Sequence, residues 1–213
     1  MPTLATNLLE VRGISTFYGS VLAIEGVSLA VAQGTLVSLI GGNGAGKSTV
    51  LRSICGLLHP REGQIIFDGT DITGWTADRV ARAGFALIPQ GRQVLGPLTV
   101  EENLEMGAFR LSGPEAKAAV EEMFERFPLL SKLRKRPAGL LSGGEQAILA
   151  LARGLASRPR MLLMDEPSVG LSPRMFDQVF LAIKELTGRG IPILLVEQNA
   201  RKAFSVSSYV YVL

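Results

Sequence analysis

Gly41-Gly42-Asn43-Gly44-Ala45-Gly46-Lys47-Ser48 reads G-x-x-x-x-G-K-S. An apolar, β-prone run over 35–40 leads into it and a helical run over 48–58 leaves it, the strand–loop–helix setting that a phosphate loop requires. Glycines let the backbone curl so that successive N–H groups converge on phosphate oxygens. The helix N-terminus behind them adds a positive partial charge. Lys47 is then placed to reach the β- and γ-phosphates and the Ser48 hydroxyl to bind Mg²⁺. Gly41, Asn43, Gly44, Ala45, Gly46 and Thr49 complete the expected cradle. The motif predicts nucleotide binding without naming the nucleotide or what its hydrolysis drives.

The chain around this loop has 213 residues, enough for one large α/β domain or a domain with a subdomain. Hydrophobic residues make up 47% and charged residues 19%, an ordinary globular balance with ample material for a core. A net charge of +3 neither requires nor excludes a nucleic-acid partner. The single cysteine, Cys55, rules out an internal disulfide and falls on the apolar face of the helix after the loop, with Leu51, Ile54 and Leu58, where a buried core thiol is expected. Met1 to Glu10 lacks a basic region and a long apolar core, so no signal peptide is expected. No run approaches the roughly 18 consecutive apolar residues of a membrane span. The reading is a soluble protein that would serve a membrane process only by docking on another chain.

Upstream of the loop, Leu8 to Val11 is a strand candidate, and Val27, Leu29 and Val31 alternate with smaller residues as a half-exposed strand does. An antiparallel β patch is therefore expected before the parallel core. Between them stands Phe17-Tyr18-Gly19, an aromatic pair that either stacks on a base, since the loop itself holds only phosphates, or packs on the sheet. Downstream, Gln64 to Phe67 is another strand. Trp75 and Arg79 fall in a polar helix candidate ending at Ala83, and His59, the only histidine, sits in a loop with no zinc constellation around it. Gly84 to Ile88 reads as a buried strand ending at Gln90, whose amide can bind Mg²⁺ or the attacking water from a strand's C-terminal edge.

From there to about Arg158 strands give way to helices. Thr99 and Glu102 form a capping box, Gly113-Pro114 starts a second helix, and 132–136 is a basic run expected as a solvated loop. Ser142 and Glu145 make another capping box in Leu141-Ser142-Gly143-Gly144-Glu145. A Ser-Gly-Gly helix start leaves the first N–H groups uncovered, an anion receptor. Two phosphate-binding helix termini in one chain mean either two sites or one site built from two chains. Met161 to Asp165 is a buried strand ending in a carboxylate that can hold Mg²⁺ through water. Glu166 beside it can polarise an attacking water. Ile191 to Val196 is a further buried strand, and the polar residue just past it, Gln198, is placed to sense a γ-phosphate. The final run, 209–213, reads as a strand that stops, so a longer native chain is expected.

The order of these motifs resembles the nucleotide-binding subunits of ABC transporters, over essentially the whole chain. The resemblance implies an α/β fold: a P-loop NTPase with a RecA-like parallel core and β patch (1–90 and 159–213) and an inserted α-helical subdomain (91–158). It implies ATP and Mg²⁺ as cofactors, with Gly41 to Ser48 as Walker A, Gln90 as the Q-loop glutamine, Met161 to Asp165 as Walker B, Glu166 as the catalytic carboxylate and Tyr18 as the base stacker. In that family two subunits sandwich two ATP molecules, so Ser142, Gly143 and Gly144 would face the γ-phosphate on the partner's loop. Pro89 to Arg92, Leu98 to Leu104 and Val196 to Ala200 look like an ATPase subunit of branched-chain amino acid and amide uptake systems, with urea uptake close by. The partners implied are a second ATPase subunit, membrane permeases docking beside Gln90 and 91–111 and, indirectly, a periplasmic binding protein, all at the cytoplasmic face of the membrane. No nucleic acid is expected, because neither a coiled-coil insertion nor an extended basic face is present. Two departures stand out. Gln198 replaces the family's switch histidine, and Ser172 stands where many members carry an aspartate. Both suit one half of an asymmetric pair, with slower hydrolysis at Gln198.

Overall fold

The computed structural model describes residues 7–213, and Arg174 by its backbone alone. The reading of the first residues as free of a leader falls partly on 1–6, outside the described residues. Two 12-residue strands open the fold, Asn7–Tyr18 (β1) and Val21–Ala32 (β2), paired antiparallel through a two-residue turn at Gly19-Ser20. The patch is much longer than Leu8 to Val11 and Val27 to Val31 suggest. Its register shifts between Val11 and Ile14, and Gly13 and Gly26 sit at φ 59° and 60°. Bulges of this kind break the alternation by which a strand is recognised. β1 also pairs with Glu62–Phe67 (β4), which pairs with Thr70–Asp71 (β5), giving the order β2-β1-β4-β5.

The second sheet is parallel. Leu36–Ile40 (β3), Met161–Asp165 (β7) and Ile193–Glu197 (β8) are buried at every position. Such unbroken burial is what a sheet covered on both faces demands. With Phe85–Ile88 (β6) and Tyr209–Val212 (β9), the order is β6-β7-β8-β3-β9. The registers place Ile40 opposite Glu197, and Asp165 opposite Val196. Three chain segments thus leave one C-terminal edge together: the phosphate loop, Asp165 and Gln198. In open α/β sheets that edge is where ligands bind.

The helix after the loop, Lys47–Ile54 (α1), stops four residues short of the expected Leu58. Gly56, at φ 69°, turns the chain there, and a Cβ at that position would collide with the Trp75 carbonyl. Ala77–Arg82 (α2) begins after Trp75, which is half-buried just outside the helix with the Arg79 guanidinium 3.6 Å over its ring. Cys55 is buried, and burial pushes its thiol up to about 12.

The chain divides into two compact units, one of residues 1–85, 160–165 and 184–213, the other of 86–159 and 166–183. The second holds Val100–Ala108 (α3), Gly113–Arg126 (α4), Pro128–Lys132 (α5) and Gly143–Ala156 (α6). Both capping boxes at Thr99 and Ser142 form, and a third forms at Ser112. Asn103, fully buried, donates to the carbonyls of Leu95 and Thr99 and accepts from the Leu95 N–H, fastening the segment before α3. The basic run is largely exposed, as expected of a solvated loop, but two of its cations are paired. The Arg134 guanidinium donates to Glu101 at 2.5 Å and to Glu121 at 2.6 Å, and Lys135 meets Glu101 at 2.6 Å. Pro173–Gly188 (α7) and Ala200–Val206 (α8) complete the chain.

Candidate nucleotide-binding and hydrolysis site

The loop has the shape its sequence requires. Gly44 and Gly46 take φ 81° and 99°, and Gly46 is the N-cap of α1 with no side-chain cap. A Cβ on Gly46 would collide with the Ile24 side chain, so only glycine lets the loop close against the β patch. The first N–H groups of α1 are left to an anion rather than to a side chain, which is the donor set a phosphate needs. Lys47 is buried, and its Nζ donates to the carbonyls of Gly41 and Gly42, each at 2.9 Å, so the ammonium lies over the loop. Gly41, Asn43, Gly44 and Ala45 form the rim, and Thr49 is buried behind Ser48.

The Ser48 hydroxyl donates to Asp165 Oδ1 at 3.0 Å. Two candidate oxygen donors, one from the first turn of α1 and one from the end of β7, are thereby side by side. Among the described residues no cluster of three or more His, Cys, Asp or Glu could hold a metal by itself. The pairing of Ser48 with Asp165 fits Mg²⁺, which prefers one or two protein oxygens completed by phosphates and water.

At the end of β8, Glu197 is buried and its Oε2 accepts from the Gln198 N–H at 3.2 Å, while the Gln198 side chain is exposed. Asn199 caps α8 by accepting from the Lys202 N–H. Tyr18 ends β1 and is 43% exposed, so the sheet does not bury it.

In the second unit, Gln90 Nε2 donates to Glu166 Oε2 at 3.1 Å. Glu166 is buried and takes φ 46°. A non-glycine residue held there carries strain of the sort concentrated at functional positions. At α6, Ser142 Oγ accepts from the Glu145 N–H, and Glu145 Oε2 accepts from the Ser142 N–H at 2.7 Å. Gly143 and Gly144 are tightly faced: a Cβ on the first would meet the Arg92 guanidinium and on the second the Met175 side chain. Arg92, at φ 68°, donates to the carbonyls of Val169 (3.3 Å) and Gly170 (2.8 Å). It therefore ties the Gln90 loop to the turn after Glu166 and lies beside Gly143 at the start of α6. Sequence reasoning gave Arg92 no role of its own. Its one signal was the Gly91-Arg92 pair directly after Gln90.

Phosphate loop, carboxylate-ended strands and a parallel sheet open at one edge define a P-loop NTPase. The family model described as ABC transporter matches residues 24–169. The high-affinity branched-chain amino acid transport ATP-binding protein BraG of Pseudomonas aeruginosa is 41% identical over 206 residues, covering 97% of this chain and 88% of BraG. The probable branched-chain amino acid transport ATP-binding protein LivF of Archaeoglobus fulgidus is 35% identical over 207 residues, covering 97% and 88%. Among solved structures, the ADP conformation of MJ1267, an ATP-binding cassette of an ABC transporter, superposes with a TM-score of 0.86 at 32% identity, covering 98% of this chain and 87% of that one. The chain belongs to the ABC transporter family, as an ATP-binding and ATP-hydrolysing cassette.

Proposed function

We propose that this chain is the ATPase subunit of an importer for branched-chain amino acids, acting at the cytoplasmic face of the membrane. The observation that carries the substrate class is the 41% identity to BraG over nearly the whole chain. Among the described residues no helix is long and apolar enough to cross a membrane, so the membrane-spanning part belongs to other subunits. Met106 and Phe109, exposed on and just after α3, suit a permease surface within 91–111. A periplasmic binding protein would act through those permeases.

The residues divide the work as follows. Gly41 to Thr49 hold the phosphates, with Lys47 neutralising charge that grows on the γ-phosphate. Ser48, Asp165 and Gln90 hold Mg²⁺, which when bound draws charge off the β- and γ-phosphate oxygens. Glu166 accepts a proton from the attacking water, and Gln90 fixes the direction of that carboxylate. Gln198 hydrogen-bonds the γ-phosphate edge as a neutral donor. Tyr18 stacks on the base. Ser142, Gly143 and Gly144 close over the phosphate of a second ATPase subunit, so two nucleotides join two chains and hydrolysis releases them. The catalytic core is 1–90 with 159–213, and 91–158 is the helical subdomain.

The test is reconstitution. The chain is co-expressed with the membrane subunits that co-purify with it, placed in proteoliposomes with the matching binding protein, and supplied with ATP. ATP-dependent uptake of labelled leucine, isoleucine or valine supports the reading. ATP turnover stimulated by urea or another solute, with none of these amino acids transported, overturns the substrate class. Co-purification with ribosomes or DNA in place of membrane subunits overturns transport altogether.

A further inference from the structure

The tip of the β1–β2 hairpin is tied down more firmly than a surface turn needs. Tyr18 is opposite Val21, and the two residues between them, Gly19 and Ser20, make the turn, with Gly19 at φ 59°. A two-residue turn with a left-handed glycine first is the connection that matches strand twist. Yet such a tip, with Val21 and Leu22 exposed beside it, has little packing of its own. Two arginines supply the restraint. Arg52, in the last turn of α1, donates from Nη1 to the Tyr18 phenol oxygen at 3.2 Å. Arg61 donates from Nη2 to the Gly19 carbonyl at 2.5 Å and lays its guanidinium 4.3 Å over the Phe17 ring. One step further in, the Thr16 and Ser53 hydroxyls meet at 3.0 Å in the core. Thr16 and Tyr18 point to one face of β1, and Ser53 and Arg52 are neighbours on α1. The same helix that begins with Lys47 therefore grips the strand that ends in Tyr18.

We infer that Arg52 and Arg61 are positioning residues that fix the Tyr18 ring relative to the phosphate loop, so that base and phosphates are recognised at a set spacing. The inference rests on the reading of Tyr18 as the base stacker. A stacking ring that must first be ordered loses its rotamer freedom when the nucleotide arrives, and that entropy is subtracted from affinity. Here the ordering is done beforehand, by a rigid helix whose first turn binds the phosphates. The effect belongs to ligands with a base and is absent for a ligand that is phosphate alone.

The experiment measures binding of Mg-ATP and of Mg-tripolyphosphate to the full chain by calorimetry, for wild type, Arg52→Met, Arg61→Met, Tyr18→Phe, Tyr18→Ala and the double variant Arg52→Met/Tyr18→Phe. Each arginine variant should weaken ATP binding about 2- to 5-fold, the weight of one exposed hydrogen bond, and leave tripolyphosphate unchanged. Tyr18→Phe keeps the ring and loses the grip, so it should match Arg52→Met, and the double variant should lose nothing more. Equal weakening of both ligands, no weakening of either, or additive losses in the double variant would overturn the inference while leaving Tyr18 as the stacker. If Tyr18→Ala leaves the ratio of ATP to tripolyphosphate affinity unchanged, the stacking role falls and the inference falls with it.

Discussion

Glu166 follows Asp165 directly in sequence, yet the two carboxylates have different partners. Asp165 ends a strand and accepts from a hydroxyl, whereas Glu166 is turned by a left-handed backbone onto the amide of Gln90. The Gln90 amide fixes the direction of the Glu166 carboxylate, as the proposed role of general base requires. Glu166→Gln preserves the shape and removes the proton acceptor. Turnover should fall by about 10²- to 10⁴-fold, the usual worth of a positioned general base, with ATP affinity within about twofold of wild type. Phosphate release and calorimetry check the two halves, and retained turnover would remove Glu166 from this role. Gln198 offers the complementary gain. Its side chain is exposed past β8, so an imidazole fits without repacking. Gln198→His should raise turnover, most strongly below about pH 6.5 where an ordinary histidine carries charge, and the gain should fade above that. A flat pH–rate profile for the variant would show that charge at this position does not limit hydrolysis.

Among the elements, the α3–α4 brace makes a prediction of its own. Hydrogen bonds from Arg134, then Lys135, hold the Glu101 carboxyl down to about 2. Its folded value lies below its unfolded one, so the stabilisation is fully present above about pH 4.5 and is lost as pH falls through about 2. Between pH 5 and 2.5 the thermal midpoint of the wild type should drop more steeply than that of Glu101→Gln, which never had the charge. Calorimetric scans across that range decide it; parallel curves would mean that the brace contributes nothing. The same brace shows where sequence stops being informative. Capping boxes at Thr99 and Ser142 are local patterns, three residues apart, and were legible. Every strand buried on both faces was legible as an apolar run. Arg134 is 33 residues from Glu101 and 13 from Glu121, and nothing local distinguishes it from a solvated arginine. The β1–β2 hairpin was half legible because its glycine bulges interrupt the alternation that marks a strand. At the candidate site, the placement of Ser48 beside Asp165 and of Lys47 over the loop follows motif spacing. Arg52, Arg61 and Arg92 were not legible, because each acts on backbone or on a phenol brought near only by folding.

At the scale of the whole molecule, the proposed site, built from three segments leaving one sheet edge, would depend on a shared Mg²⁺. Chelation of Mg²⁺ by EDTA should abolish turnover while leaving weakened, measurable ATP binding, since the N–H groups of the loop and Lys47 still hold phosphate. Turnover assays with Mg²⁺ restored in steps would recover activity. Persistent hydrolysis in EDTA would contradict the pairing of Ser48 with Asp165 as ligands. Buried Cys55 has a separate consequence for anyone wishing to watch this protein move. It is the chain's sole cysteine, and its thiol scarcely ionises near neutral pH. A maleimide dye or spin label would pass it by. The wild type is thus already a silent background, in which one cysteine introduced at Ser142 and another at Gln198 would be the only positions to take up a probe.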